Sequence, residues 1–207
     1  MKTIRKFAAL LICLITTLTV AGISPEVTIK ETGQKSFTVY IDNTLGGKVD
    51  IYLKDVNGEL LESDRMSKQE AITWKYNLEN LPVGEYKLFI EDGAKTITQT
   101  IVVNEDHVAV PKNLRAEYFA PTVVLNDDNL DFTMLSPQET LVIIEIIHET
   151  GYKNYSVGTC EKGAVQRRFD ISALEPGTYT IATHVEGQNF ETVYYETFTV
   201  GGDVAGR

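Results

Sequence analysis

From residue 27 onward, apolar and polar positions alternate with a period of two. Phe37, Val39 and Ile41 interleave with Thr38, Tyr40 and Asp42, and Val49, Ile51 and Leu53 interleave with Asp50, Tyr52 and Lys54. Such a period sends successive side chains to opposite faces of an extended chain, which predicts strands with one buried face. The alternation continues through Ile72, Trp74, Tyr76 and Leu78, then Tyr86, Leu88 and Ile90, and closes with Ile97, Ile101 and Val103. Gly46-Gly47 marks a turn. Asn57-Gly58 and Asp92-Gly93, each between β-rich runs, predict tight hairpins. About seven short strands at this spacing read as a β-sandwich. No helical period appears after the first twenty or so residues.

The pattern then repeats. Leu81-Pro82-Val83-Gly84-Glu85-Tyr86-Lys87-Leu88 recurs as Leu174-Glu175-Pro176-Gly177-Thr178-Tyr179-Thr180-Ile181, and the offset of 93 holds without a gap for forty residues upstream. Val142, Ile144 and Ile146 match Val49, Ile51 and Leu53. Val165, Phe169 and Ile171 match Ile72, Tyr76 and Leu78. Four residues are gained in the last hairpin, after which Tyr194, Phe198 and Val200 match Ile97, Ile101 and Val103. Inward positions agree while outward ones drift, as duplication of a fold should leave them. The expected fold class is therefore all-β, with two tandem immunoglobulin-like (fibronectin III-like) sandwiches at 23–104 and 105–200. Residues 104–128 are expected to hold a linker and the first strand of the second sandwich, and 201–207 to form a loose tail.

Alternation buries Tyr86 and Tyr179, each two residues past a glycine, Gly84 or Gly177. A buried phenol left unpaired costs ~1–3 kcal/mol. The backbone of the preceding Pro-Gly corner is the nearest acceptor, so both tyrosines and both glycines are expected to be structural, in the manner of a tyrosine corner.

The run from Val49 to Val103, with its strand ending in Asn57-Gly58, its Leu81–Gly84–Tyr86 corner and its closing Lys95–Val103 strand, resembles the C-terminal sorting domain of type IX (Por) secretion. It is similar as well to small secreted immunoglobulin-like proteins of Bacteroides-type bacteria. The resemblance covers the first module well and the second loosely. It implies a β-sandwich in a secreted setting.

Composition adds a compartment and removes some partners. Residues 1–22 begin Met-Lys-Thr-Ile-Arg-Lys, run apolar from Phe7 to Val20 and end in Ala21-Gly22, the pattern of a secretory signal peptide. The apolar run is too short and too threonine-rich for a transmembrane span, so no stable membrane insertion is expected after cleavage. The product would be exported, to the periplasm or to the cell surface and medium. The chain carries a net charge of −10, and loss of Lys2, Arg5 and Lys6 leaves about −13. That surface repels phosphate backbones, and no basic patch offsets it, which excludes nucleic acid as a partner. Of two cysteines, Cys13 sits in the leader, so Cys160 has no partner for an intramolecular disulfide.

Candidate chemistry is thin. His107, His148 and His184 show no metal-ligand spacing, and there is no GxSxG, no phosphate-cradling glycine loop and no CxxC. No catalytic residue, cofactor or metal is expected, and the chain reads as a non-enzyme. Asn126-Asp127-Asp128-Asn129 with Asp131 offers oxygen ligands of the kind calcium uses, but without the spacing and glycine of an EF-hand, so a solvated turn is expected. One feature rises above this background. The strand 141–147 is apolar on both faces: Leu141, Ile143 and Ile147 point outward where the first module has Lys48, Asp50 and Lys54. With Ala182, Val193 and Tyr195 from neighbouring strands they would form an apolar face, which marks a contact surface. Cover from the first module or from Leu114, Tyr118 and Phe119 of the linker competes with a protein partner or self-association, and glycan binding is weaker still. Trp74 alternates with the core set and reads as buried rather than sugar-stacking. The expected function is an exported, non-catalytic binding or assembly module of the bacterial cell envelope. The alternatives are a component or cargo-sorting domain of a secretion or surface-attachment system, or a carbohydrate-binding module.

Overall fold

A computed structural model describes residues 26–42, 47–67, 71–187 and 190–201. The expected signal peptide at 1–22, part of the Gly46-Gly47 turn and nearly all of the expected tail lie outside the described residues. Those described are all-β. The fourteen strands are β1 (Glu26–Gly33), β2 (Ser36–Asp42), β3 (Val49–Lys54), β4 (Leu60–Met66), β5 (Ala71–Asn77), β6 (Gly84–Glu91), β7 (Lys95–Val103), β8 (Val108–Ala109), β9 (Arg115–Phe119), β10 (Thr122–Asn126), β11 (Asn129–His148), β12 (Lys153–Asp170), β13 (Gly177–Gly187) and β14 (Phe190–Val200), with a 3-10 turn at Lys112–Leu114.

In the first half, one sheet runs β1-β2-β5 and the other β4-β3-β6-β7, extended at β7 by β8 and β9. The alternation explains why they stack. Phe37, Val39 and Ile41 on β2 and Ile72 and Tyr76 on β5 meet Ile51 and Leu53 on β3, Leu88 and Ile90 on β6, and Ile97 and Ile101 on β7, in one buried cluster. Burying a side chain of this size contributes roughly 1.5–3 kcal/mol, and the two inner faces together make the core.

The second half reaches the same layers with fewer, longer strands. β11 and β12 pair along nearly their whole length, with a register shift between Ser136 and Thr140. On one side of the shift, β11 joins β10 and the end of β12. On the other it joins the start of β12 and β13, and β14 follows β13. Register follows the sequence offset. Phe37 opposite Tyr76 becomes Leu130 opposite Phe169, Ile51 opposite Asp64 becomes Ile144 opposite Val157, and Leu53 opposite Leu88 becomes Ile146 opposite Ile181. Past the enlarged hairpin, Tyr86 opposite Ile101 becomes Tyr179 opposite Phe198. Leu130, Phe132, Val142, Ile144, Ile146 and Ile181 form the centre of a second core.

The stretch 104–128 differs from the expected linker with one strand. β8 and β9 both pair with β7 and so extend the first half's sheet, and only β10 belongs to the second half's sheet. The physical reason lies in Tyr118. It sits on β9, bonded to the first sheet, yet its side chain is 6% exposed within the second core. The connection is thus a shared element of both halves. Tyr194 closes the junction, its hydroxyl donating to the Tyr118 carbonyl at 3.1 Å and meeting Thr96 Oγ1 at 3.2 Å.

Candidate functional site

Pairing decides which of the six candidate contact residues share a surface. Across the layer β12-β11-β13-β14, Leu141 lies opposite Cys160, Ile143 opposite Gly158 and His184, and Ile147 opposite Thr180. His184 lies opposite Val193, and Ala182 opposite both Glu145 and Tyr195. All six therefore fall on the outer face. Leu141 and Ile143 rest over Gly158: a Cβ there would lie 3.7 Å from Leu141 Cδ1 and 3.9 Å from Ile143 Cγ1. Tyr118 is taken into the second core rather than laid over this face.

Two findings change the expected surface. Ala182 is 1% exposed and offers no contact area itself. More important, Glu145 occupies the outward position between Ile143 and Ile147. It accepts hydrogen bonds from Lys153 Nζ and from Ser156 Oγ at 3.3 Å, and His184 Nε2 stands 3.7 Å from its other oxygen. His184 Nδ1 in turn meets Glu191 Oε1 at 2.5 Å. The Lys153 hydrogen bond, the largest influence, holds the Glu145 carboxyl below its ordinary range. A polar band of Lys153, Glu145, His184 and Glu191 thus crosses the face. The band runs diagonally across the strands, so Leu141 and Ile143 lie to one side of it, and Ile147, Val193 and Tyr195, the last 66% exposed, lie to the other. Collecting only apolar positions missed this band. The signal was present, because the same period of two that places Ile143 and Ile147 outward places Glu145 outward as well.

The two corners have matching geometry. Tyr86 donates its hydroxyl to the Pro82 carbonyl at 2.8 Å, and Tyr179 donates to the Glu175 carbonyl at 2.8 Å. The glycines differ. A Cβ at Gly84 would meet nothing within 4 Å, whereas one at Gly177 would lie 2.4 Å from His148 Nε2. The His148 ring packs against Tyr179 with centroids 4.9 Å apart and fills that space.

The acidic loop is a hairpin turn between β10 and β11. Asp131 accepts two hydrogen bonds from Arg168, at 2.6 and 2.8 Å, and a third from Asn126. Arg168 and Asn126 hold its pKa down to about 2. Among the described residues, no group of three or more His, Cys, Asp or Glu side chains could hold a metal. Cys160 is exposed, and Trp74 packs half-buried against the first core. No helix among the described residues is long and apolar enough to cross a membrane. A groove where the halves meet is lined by Lys54, Asn57, Glu85, Lys87, Phe89 and Glu191, an assortment of both charges with no convergent donor or acceptor set.

Residues 32–104 match the family model of the secretion system C-terminal sorting domain, so the resemblance stated for the first module holds. No curated protein matches the chain significantly. Among solved structures, a two-domain fibronectin type III segment of chicken tenascin aligns at 6% identity and a TM-score of 0.31, covering 85% of this chain and 99% of that one. A biofilm-associated protein BSP domain aligns at 13% identity and a TM-score of 0.29, covering 88% and 30%. A Parabacteroides merdae β-glucuronidase aligns at 10% identity and a TM-score of 0.30, covering 82% and 29%.

Proposed function

We propose that the chain is an exported, non-catalytic binding or assembly protein of the bacterial cell envelope, built as two tandem immunoglobulin-like sandwiches behind a signal peptide. The observation that carries this reading is the sorting-domain match at residues 32–104. The pairing register of its strands recurs in 129–200, which supports reading the second half as a repeat of the matched one. A sandwich presents sheet faces, edges and loops, and since fold alone does not fix function the reading rests on the surface these offer. In this account the outer face of the second half is the contact surface. Leu141, Ile143, Val193 and Tyr195 supply apolar area, and the Glu145 band supplies orientation.

The same match favours a second reading, in which the first half is read by the secretion machinery and the chain is its cargo or a component of it. One experiment addresses export through that route. The outer-membrane channel of the sorting system is inactivated in the source organism, and the chain is followed by fractionation. The expected result is loss from the surface and medium with accumulation in the periplasm. An unchanged distribution would sever the link to that route.

A further inference from the structure

We infer that a small pocket at the junction of the two halves binds a free inorganic oxyanion of the size of phosphate, with the Lys87 ammonium as its cation. The inference rests on the junction and not on the export reading.

Alternation puts Lys87 of β6 and Thr98 and Thr100 of β7 on the outward face of the first half's sheet, with Lys87 directly opposite Thr100. An outward face is ordinarily wet, yet Thr98 is 3% and Thr100 1% exposed. They are buried because the chain folds back over them. The 3-10 turn brings Asn113, β9 brings Ala116, and the shifted stretch between Ser136 and Thr140 of the second half brings Gln138. Together they surround a pocket of about 60 Å³. A water molecule needs roughly 10–15 Å³ of such space, so the pocket takes a few waters or one small polyatomic ion.

The wall selects the sign of the charge. Lys87, Thr98, Thr100, Asn113 and Gln138 give it an ammonium, two hydroxyls and two amides, all of which can donate. Arg115 also borders it, but its guanidinium donates to the Val27 carbonyl at 2.9 Å and to Glu117 at 3.0 Å. The chain has 29 acidic residues against 19 basic, and neither an aspartate nor a glutamate lines this pocket. Glu85 and Glu139, close by along the chain, are exposed. Lys87 Nζ donates to Thr100 Oγ1 at 2.5 Å, which holds the ammonium over β7 beside the pocket. A hydroxyl that accepts one hydrogen bond still has its own proton to donate. An ammonium among neutral donors suits the oxygens of phosphate or sulfate, and a metal cation would meet no carboxylate here. The negative charge elsewhere on the chain is screened beyond roughly 8 Å at physiological salt.

The repeat alone does not produce this pocket. The second half has Thr180, Tyr195 and Thr197 at the equivalent places, with no cation among them, and Tyr195 is 66% exposed. The pocket exists where the connection and the second half close over the first. An ion bound there touches all three, so its binding stabilises the junction by linkage.

Thermal unfolding of the whole protein in increasing inorganic phosphate, with ionic strength held constant by chloride, tests this. The native protein should show a saturable rise in melting temperature, roughly 2–4 °C once phosphate stands about fivefold above its dissociation constant. Lys87→Met keeps an apolar stem without the charge and should abolish the rise. Thr98→Val removes one hydroxyl and should move the midpoint of the rise to higher phosphate. Lys54→Met removes a charge from the neighbouring groove and should leave the rise intact. Phosphate also stabilises folded proteins by exclusion from their surface, which neither saturates nor depends on residue 87. Absence of a rise, a rise that does not saturate, or one that is the same in Lys87→Met as in the native protein would overturn the proposal. So would a rise lost equally in Lys54→Met. Should Lys87→Met fail to fold, an unshifted midpoint in Thr98→Val would overturn it.

Discussion

The two halves are the same arrangement with different neighbours. In the first, β7 is flanked on its outer edge by β8 and β9, and the β6–β7 hairpin lies beside Thr192, Val193 and Tyr194 of the second half. In the second, β14 pairs among the described residues with β13 alone, and the outer face carries Ile143 and Ile147 where the first carries Asp50 and Lys54. Inward positions kept their character because each must fit a closed core. Outward positions were free to diverge, so the differences between the halves point to contact surfaces better than the similarities do. One inward exchange proves the rule by being compensated. In the first half, Tyr76 is buried and donates to Asp64 at 2.9 Å. At the equivalent places the second half has Phe169 and Val157, an apolar pair that needs no hydrogen bond.

The largest effects should come from the cores. Ile51 and Ile144 are equivalent and fully buried, and Ile51→Ala or Ile144→Ala should each cost about 2–5 kcal/mol. If the halves fold separately, calorimetry will resolve two transitions and each substitution will lower one. A single transition lowered equally by both would show that Tyr118 and Tyr194 lock the halves into one unit.

The Tyr76–Asp64 pair comes next. Burial, with the Asp64 carboxylate beside it, raises the Tyr76 pKa, so the phenol stays protonated and donating. Tyr76→Phe leaves the carboxylate without this donor and should cost about 1–3 kcal/mol. Asp64→Val added to it copies the second half and should recover much of the loss, as a double-mutant cycle in chemical denaturation would reveal.

The glycines should separate the halves more gently. Gly177→Ala runs into the His148 ring and should lower the melting temperature, while Gly84→Ala should not. His148→Ala should relieve only the clash part of the Gly177→Ala loss, since the φ of +159° at Gly177 disfavours a side chain in any case, and equal effects at both glycines would contradict the packing described.

The smallest effect concerns acid. The folded pKa of Asp131, at about 2, lies below its unfolded value near 4. Its contribution is therefore present above about pH 4 and fades as pH falls toward 2. The pair is exposed, so screening keeps the contribution small. Asp131→Asn should slightly flatten the fall in melting temperature across that window, and an identical acid profile would remove the pair from the account.

Most of the fold was legible because a period of two needs only a buried and an exposed face to show. The repeat was legible because Leu81–Leu88 and Leu174–Ile181 preserve the Pro-Gly corner with its tyrosine. What stayed hidden depends on pairing between distant strands. Nothing local in Arg115–Phe119 says that its backbone joins β7 while Tyr118 enters the other core. The six expected residues do share one outer face, but Ala182 is buried there and the middle of the face was misread, where Glu145 draws Lys153 and His184 from strands that only the register brings together. That β14 has, among the described residues, a strand on one edge only was invisible in sequence, since pairing is set by neighbours distant in the chain.

Amide hydrogen exchange along β7 and β14, measured on dilute protein that light scattering shows to be a single chain, tests the central contrast most directly. The predicted result is slow exchange at every amide of Lys95–Gln99, and slow and fast exchange in alternation along Glu191–Val200. Uniform protection along β14 in the single chain, or alternation along β7, would contradict the account.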